Sequence, residues 1–240
     1  MNQNSAKRNR KKMIVMFVLF ILAAALYMTV GVKFENQKLF EYSMKIRTPK
    51  LIAMMITAYA IGSAAIVFQS IINNTIVTPC LLGMDALYTM IHTILVFILG
   101  SGSALVVNAN CSFLIDLVIM GVTATIIYSY LFKKTKHNVL YVLLIGTVLT
   151  SLFSSIQSTM TRIMDPNEYD KLQNSLFASF QHLNTSILAI SSLIILALTI
   201  FFFRKAVILD VLHLQRETAQ ILGLDVEKEQ RELLWGIVLL

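Results

Sequence analysis

One charged stretch separates two apolar runs and reads LDVLHLQRETAQILGLD from Leu209 to Asp225. A membrane protein needs only a few residues to reverse direction, so a charged segment of helical length needs a further purpose. Leu212, Ala219 and Leu222 are spaced to fall on one helical face. The pattern predicts an amphipathic helix at the membrane surface.

The same stretch also indicates where its helices end and begin. Gly223 suits the left-handed residue that ends a helix, and Asp225 suits the cap that begins the next one. Arg216 and Glu217 can stay hydrated on the opposite face. We therefore predict a helix–glycine–helix docking surface within a cytosolic segment of residues 209–232.

Long apolar runs on both sides of this stretch place the chain in a membrane. Hydrophobic residues make up 57% of the chain and charged residues only 14%, unlike a soluble domain. A helix needs roughly 20 residues to cross the hydrocarbon core, and lone strands cannot satisfy their backbone in lipid. We predict an all-α polytopic protein, one transmembrane domain over residues 1–240, with about six complete transmembrane helices and the start of a seventh. The seven runs are Met13–Val32, Leu51–Ile72, Ala86–Gly100, Phe113–Phe132, Val139–Ser158, Ile187–Phe203 and Leu233–Leu240.

The placement of charge predicts the orientation and accounts for the net charge of +7 without nucleic acid. Basic residues collect on the cytosolic side of membrane proteins. Five of them precede the first run, which predicts a cytosolic N-terminus, and the 209–232 segment then also lies in the cytosol. The acidic loop Asp165–Asp170 lies outside. The five residues are Lys7, Arg8, Arg10, Lys11 and Lys12.

The charged stretch resembles the coupling region of the permease subunits of iron-siderophore and vitamin B12 type ABC importers. The family pattern L-x-x-L-x-L-G-x-x-x-A-x-x-L-G departs here only at Gln215, where the family has Gly. The resemblance implies a type II ABC importer permease fold, in which this helix sits in a groove of a cytosolic ATPase. The residues it assigns to ATPase coupling are Leu209, Leu212, Leu214, Arg216, Glu217, Ala219, Leu222 and Gly223.

A second resemblance lies at the entry to the second apolar run. Arg47-Thr48-Pro49-Lys50-Leu51 is similar to the family sequence R-x-P-R-L. It implies that Arg47 and Lys50 meet acidic side chains of an extracytoplasmic binding protein, while anchoring at lipid headgroups is the alternative. Pro49 suits the first turn of a helix.

A third resemblance covers residues 69–83 and predicts a structural turn on the cytosolic side. Gln69, Asn74, Pro79 and Gly83 match the family sequence Q-G-x-x-R-N-P-L-A-x-P-x-L-L-G in register. Asn74 and Pro79 break the helix, and Gly83 permits a tight return to the third run.

The fifth apolar run is the most polar one, with hydroxyl residues from position 147 to 158. In the family this helix lines the pathway between two permeases, which implies a lining role for Gly146, Thr147, Thr150 and Ser154. The alternative is that each hydroxyl bonds a carbonyl of its own helix.

No residue pattern in the chain points to a metal or cofactor. The four histidines, His92, His137, His182 and His213, lack the spacing of metal ligands, and Cys80 and Cys111 fall on opposite sides of the membrane and stay free thiols. No phosphate-binding motif is present. We expect no cofactor on this chain and place ATP and Mg²⁺ on a partner ATPase.

The resemblance implies a permease subunit, not itself an enzyme, that carries ferric siderophores across the cytoplasmic membrane of a bacterium. Its partners would be cytosolic ABC ATPase subunits, an extracytoplasmic siderophore-binding lipoprotein, a second permease subunit and lipid. The segments 82–88 and 97–100 look most like petrobactin- and anguibactin-type permeases. Because the family has about ten spans, each of roughly 20 residues, we expect the chain to be incomplete at its C-terminus. The alternatives are an ion-coupled secondary transporter and, third, a membrane enzyme.

Overall fold

The structure, a computed structural model, describes residues 3–32, 37–135, 139–177, 180, 183–213 and 216–240. For residues 3–7, 139, 213, 216 and 217 it describes the backbone alone. Within these ranges the regular elements are all helices, with no β-strand. The prediction of an all-α fold is confirmed.

The helices follow the apolar runs. Between α2 and α3 lies one turn of 3₁₀ helix, Pro79–Leu82, called here the 79–82 turn. The helices are α1 (Gln3–Thr29), α2 (Gln37–Ile72), α3 (Met84–Leu99), α4 (Ala104–Val107), α5 (Ala109–Lys134), α6 (Val139–Ile163), α7 (Pro166–Leu176), α8 (Thr185–Arg204), α9 (Ala206–His213), α10 (Arg216–Ile221) and α11 (Val226–Leu239).

Five helices in the described part of the chain are long and apolar enough to cross a membrane. They are α1, α2, α5, α6 and α8. The remaining predicted span, the third apolar run, is α3, which is apolar but has only 16 residues, or about 24 Å of helix. The chain is therefore a multi-pass membrane protein.

The chain divides into two compact units, residues 1–56 with 180–183, and residues 57–179 with 184–240. The first unit contains α1 and the first part of α2. Pro49 lies inside α2, which begins twelve residues earlier at Gln37, so its predicted place in the first turn is wrong. The helix extends beyond the apolar run through a charged segment, and the proline there removes one hydrogen bond of the helix.

The second unit has a core formed by α3, α5, α6, α8, α11 and the end of α2. The α3 helix packs against α5 and α6, and α11 packs against α5 and α8. Side chains that this packing buries completely include Phe68, Leu87, Tyr128, Val142 and Leu233.

The predicted turn after α2 is present in the second unit. The helix ends at Ile72, and Asn73 is left-handed with φ +52°. Asn74 Oδ1 accepts a hydrogen bond of 2.8 Å from the Ile76 N–H, the local bond that asparagine makes in turns. Pro79 opens the 79–82 turn, and Gly83 closes it with φ +75°. The backbone carbonyl of Gln69 accepts a bond from the Asn74 N–H.

The 79–82 turn is held between two helices of the bundle. The Tyr128 hydroxyl of α5 donates a hydrogen bond of 2.9 Å to the Leu82 carbonyl, and the Tyr128 side chain is fully buried. On the other side lies α6, where a Cβ atom on Gly146 would come within 2.9 Å of the Leu81 oxygen. The turn therefore depends on one hydrogen bond from α5 and one close backbone approach from α6.

Candidate functional site

Within the charged stretch the structure describes α9 up to His213 and α10 from Arg216 to Ile221, and the predicted glycine stop and helix cap follow. Gly223 has φ +84°. Its N–H bonds the Gln220 carbonyl, and the Leu224 N–H bonds the Ala219 carbonyl, which is the Schellman pattern of a glycine-terminated helix. The Asp225 side chain then accepts from the Lys228 N–H at 3.2 Å and caps α11.

The side chains of this stretch do not share one face. Leu212 belongs to α9 and Ala219 to α10, and both are buried in the core of the second unit. Leu222 lies beyond the end of α10 and is 62% exposed, next to Ile221 at 85%. The expected face shared by Leu212, Ala219 and Leu222 is wrong for Leu222, because α10 ends at Ile221 and the Schellman turn follows.

Some predicted coupling residues cannot be placed by side chain. Leu209 is partly buried against the core. Leu214 and Gln215 lie outside the described residues, and only the backbone of Arg216 and Glu217 is described. The residues that present apolar surface here are therefore Ile221 and Leu222, called below the 221–222 surface.

An ion cluster ties the segment after α10 to the bundle. The Lys205 Nζ, at the end of α8, lies 2.6 Å from Glu229 Oε2 and 2.7 Å from Glu232 Oε2 of α11. A weaker exposed pair joins Lys133 of α5 to Glu227 at 3.8 Å. Gln230 Nε2 also donates to the Ile71 carbonyl at 3.4 Å. These contacts fix α11, and with it the end of the charged stretch, to the spanning helices.

The Lys205 cluster makes stability depend on pH in both directions. Hydrogen bonds to Glu229 and then Glu232 raise the pKa of Lys205, so its contribution is complete below its ordinary pKa and disappears as pH rises above that value. The hydrogen bond from Lys205 lowers the pKa of Glu232, so that contribution is complete above its ordinary pKa and disappears as pH falls.

We expect Lys205→Met to lower the thermal stability of the detergent-solubilised protein most between about pH 5 and pH 10. The difference from the wild type should shrink below and above that window. Lys134→Met removes the same charge from an exposed position and should change stability little. A difference from the wild type that does not vary with pH would contradict this role of the cluster.

Arg47 lies in the first unit, and its guanidinium donates hydrogen bonds to backbone carbonyls at the end of α1. Its Nη1 donates to the Tyr27 carbonyl at 2.8 Å and to the Val30 carbonyl at 2.7 Å, and its guanidinium lies 5.9 Å from the centre of the Tyr27 ring. The last carbonyls of a helix have no partner within the helix, and a guanidinium supplies several donors. Lys50 borders the same shallow depression, of about 480 Å³, at the surface.

Two of the four predicted pathway residues, Gly146 and Thr150, pack against the 79–82 turn and Gly83. Gly146 is buried against Leu81, and a Cβ on Gly83 would come within 3.0 Å of the Thr150 backbone. Thr150 therefore packs on the 79–82 turn. The backbone of that turn lies so close to α6 that a side chain at position 146 would collide with it, which explains the glycine there.

The other two, Thr147 and Ser154, lie on the exposed side of α6. Several hydroxyls of this helix donate to carbonyls of their own helix, which was the alternative interpretation. The exposed side of α6 carries these hydroxyls together with large apolar side chains such as Leu144, Val148 and Leu152. The donors are Thr147, Thr150, Ser151, Ser155, Thr159 and Thr161.

Sequence reasoning missed one buried polar cluster in the second unit. His92 Nδ1 lies 2.7 Å from Asp116 Oδ2, and His92 Nε2 lies 2.9 Å from Ser175 Oγ. His92 is 5% exposed and Asp116 4%. The available signal was an ionisable residue inside each of two apolar runs, which is rare without a partner.

No group of metal ligands occurs among the residues that the structure describes. Cys80 and Cys111 are both free thiols.

Comparison with known proteins identifies the family of this chain. The model of the FecCD transport family matches residues 12–240. The chain belongs to the FecCD transport family. Within that family, the petrobactin import system permease protein YclO of Bacillus subtilis (strain 168) is 34% identical over 233 residues, covering 97% of this chain and 72% of YclO.

Other relatives agree with this assignment. The petrobactin import system permease protein FatC of Bacillus anthracis is 32% identical over 196 residues, covering 82% of this chain and 54% of FatC. A solved ABC transporter, described as metal-chelate type and inward-facing, superposes with a TM-score of 0.74 at 19% identity, over 96% of this chain and 72% of that chain. This FecCD chain therefore has the fold of an ABC transporter permease and spans part of the length of its relatives.

Proposed function

We propose that this chain is the membrane-spanning permease subunit of an ABC importer for ferric siderophores. Two relatives above 30% identity are petrobactin import permeases, and a third is an iron(3+)-hydroxamate import permease, 24% identical over 213 residues. An iron chelate of this class is the solute that these similarities favour. The chain would lie in the cytoplasmic membrane of a bacterium, with its N-terminus in the cytosol.

The partners follow from the same proposal. Cytosolic ABC ATPase subunits would bind ATP and Mg²⁺ and dock on the charged stretch, so that this chain holds no cofactor and is not itself an enzyme. An extracytoplasmic siderophore-binding protein would deliver the solute, and a second permease subunit would complete the pathway with α6. The observation that carries the proposal is the exposed 221–222 surface, which lies directly before α11 and its ion cluster. An ion-coupled secondary transporter would not need that surface.

The proposal is tested by uptake in a strain deleted for the corresponding permease gene. Iron-55 loaded on petrobactin should accumulate when the gene that carries this chain is restored, and should not accumulate when the partner ATPase carries an inactivating change in its phosphate-binding loop. Accumulation that persists with the inactive ATPase, or that requires a sodium or proton gradient alone, would contradict the importer.

Arg47 and Lys50, the basic residues before the second span, are expected to have different roles: Arg47 in packing and Lys50 in docking. We expect Arg47→Ala to lower the free energy of unfolding by about 1.5–3 kcal/mol, because charged hydrogen bonds to the α1 carbonyls are lost. Lys50→Gln should leave stability unchanged and weaken binding of the purified siderophore-binding protein up to about fivefold, as for an exposed ion pair.

Thermal unfolding in detergent and surface plasmon resonance measure the two effects. Lys45→Gln is the matched charge control, because Lys45 is exposed in the same part of α2. Equal stability of Arg47→Ala and the wild type would exclude the packing role. Binding unchanged in Lys50→Gln would exclude its docking role.

A further inference from the structure

A cavity of about 310 Å³ lies between α5 and α11 in the second unit. The residues that line it all come from these two helices. Lys133 of α5 and Arg231 of α11 are among them, and both are exposed. Neither the 221–222 surface nor the predicted pathway residues of α6 contribute to this cavity, so it is distinct from the predicted docking and pathway surfaces.

The two helices run antiparallel along the cavity. At one end, Lys133 Nζ near the end of α5 lies 3.8 Å from Glu227 Oε2 near the start of α11. Deeper in the bundle, a Cβ atom on Gly121 would come within 3.1 Å of the Trp235 ring. The cavity therefore has a charged end, where α5 ends and α11 begins, and extends toward the part of the bundle where α11 packs closely on α5.

Exposed apolar side chains continue from the charged end along α5. Ile126 and Tyr130 line the cavity and are 65% and 68% exposed. Their spacing from Lys133 places all three residues on one helical face. Because α5 is long and apolar enough to cross a membrane, the two apolar side chains favour contact with acyl chains. The face is thus apolar over its membrane part and charged at its edge.

The charges around the cavity favour a phosphate group. A guanidinium can give two parallel hydrogen bonds to phosphate oxygens, and an ammonium adds a point charge. Among the described residues that line the cavity, the acidic one is Glu227. Its contact with Lys133 is long and exposed, and pairs of that kind contribute little to stability. Lys133 is therefore able to turn to another anion.

Two residues that line the cavity have hydroxyls without a hydrogen bond to any residue that the structure describes. They are Thr125 and Ser129 of α5, and both hydroxyl oxygens are buried. Hydroxyls of α6, such as those of Thr150 and Ser155, donate instead to carbonyls of their own helix. A buried polar group without a partner is costly, and rotation about χ1 can bring either hydroxyl to the cavity. A ligand with hydrogen-bond acceptors would supply the missing partner.

The spacing of these groups matches the order of polar groups in a phospholipid. Lys133, Ser129 and Thr125 follow one another at four-residue intervals on one side of α5, and each interval is about 6 Å of helix. A phospholipid has its charged phosphate at the membrane surface and the ester oxygens of its glycerol one step deeper. Inorganic phosphate and other soluble phosphates lack the ester groups and the acyl chains. The cavity therefore fits the lipid better than a soluble phosphate.

We propose that the cavity between α5 and α11 binds the headgroup of an anionic phospholipid. Lys133 and Arg231 bind its phosphate, and the Ser129 hydroxyl donates to a phosphate oxygen. The Thr125 hydroxyl donates to an ester oxygen, and an acyl chain lies against Tyr130. Basic pockets between spanning helices are suited to anionic lipid headgroups. The proposal does not depend on which solute the chain carries.

Trp235 reports on this cavity because it is the only tryptophan in the chain. It lies one helical turn beyond Arg231 and is 37% exposed. The full chain in detergent is titrated with phosphatidylglycerol or phosphatidylcholine that carries bromine on its acyl chains, and quenching of the Trp235 fluorescence is measured. Phosphatidylglycerol should quench at a concentration about tenfold lower, because two basic side chains act on its net charge.

Lys133→Gln and Arg231→Gln should each lose most of this preference. Lys134→Gln is the matched control, because Lys134 is exposed at the same end of α5 but does not line the cavity, and it should behave as the wild type. The three basic residues are exposed, so these variants should fold. Ser129→Ala should weaken binding of both lipids, since both carry a phosphate.

Equal quenching by the two lipids in the wild type would overturn the proposal, and so would a preference that survives in both Lys133→Gln and Arg231→Gln. Excess inorganic phosphate should displace the lipid no more than sodium chloride does at the same ionic strength. Stronger displacement would assign the cavity to a soluble phosphate and would also overturn the lipid site.

Discussion

Gly146→Leu will prevent the 79–82 turn from packing and will lower the free energy of unfolding by about 3 kcal/mol or more. Overpacking alone costs roughly 1–3 kcal/mol, and here the obstructing atoms are backbone. A Cβ on Gly146 would lie 2.9 Å from the Leu81 oxygen and 3.1 Å from the Leu82 Cα. Displacing the turn also separates the Leu82 carbonyl from Tyr128, leaving a buried carbonyl without its donor.

Gly62→Leu is the matched control for this change. Gly62 is also a helical glycine of a spanning segment, but nothing lies within 4 Å of a Cβ built on it. The control should express as the wild type does and melt at the same or a higher temperature, because leucine favours helix over glycine by about 1 kcal/mol. The comparison is made by thermal unfolding in detergent and by yield in the membrane fraction. Equal loss in both variants would contradict a specific contact at Gly146.

The double change Ile221→Asp and Leu222→Asp will reduce recovery of the co-expressed ABC ATPase by tenfold or more. Apolar side chains at the centre of an interface each contribute about 2 kcal/mol when they are hot spots. Both residues are largely exposed, so the fold itself should lose at most about 0.5 kcal/mol. Quantitative co-purification after solubilisation, with thermal stability measured on the same sample, separates the two effects.

Two further variants make this result specific. Ile76→Asp alters an equally exposed apolar residue in another connection on the predicted cytosolic side and should leave recovery of the ATPase unchanged. Leu212→Asp should instead unfold the protein, because Leu212 is buried in the core. Unchanged recovery with Ile221→Asp and Leu222→Asp at unchanged stability would remove the coupling role from this surface.

Local signals in the sequence were sufficient to predict where several helices begin or end. Gly223, Asp225, Asn74 and Pro79 act through their own backbone or through neighbours within a few residues, and each does what its residue type predicts. The length of the apolar runs was equally sufficient to predict the long spanning helices, because a helix needs roughly 20 apolar residues to cross the hydrocarbon core.

Positions that depend on distant partners were not predictable in the same way. Arg47 matched a family motif and Gly146 was assigned a lining role, but their contacts are the end of α1 and the backbone of the 79–82 turn. Pro49 was misplaced because α2 continues beyond the apolar run that marks its membrane part. His92 and Asp116 are 24 residues apart, and no short-range pattern in the sequence predicts a contact between side chains of two different helices.

The sequence by itself determined the membrane class, the helical fold, the predicted sidedness and the positions where helices stop. These follow from hydropathy, charge and backbone preference, which act on each segment separately. Only the tertiary structure decided which face of α6 is packed, which residues of the charged stretch are exposed, and that a histidine, an aspartate and a serine from three helices meet. Those outcomes depend on how helices pack side by side, and packing is a property of pairs of distant residues.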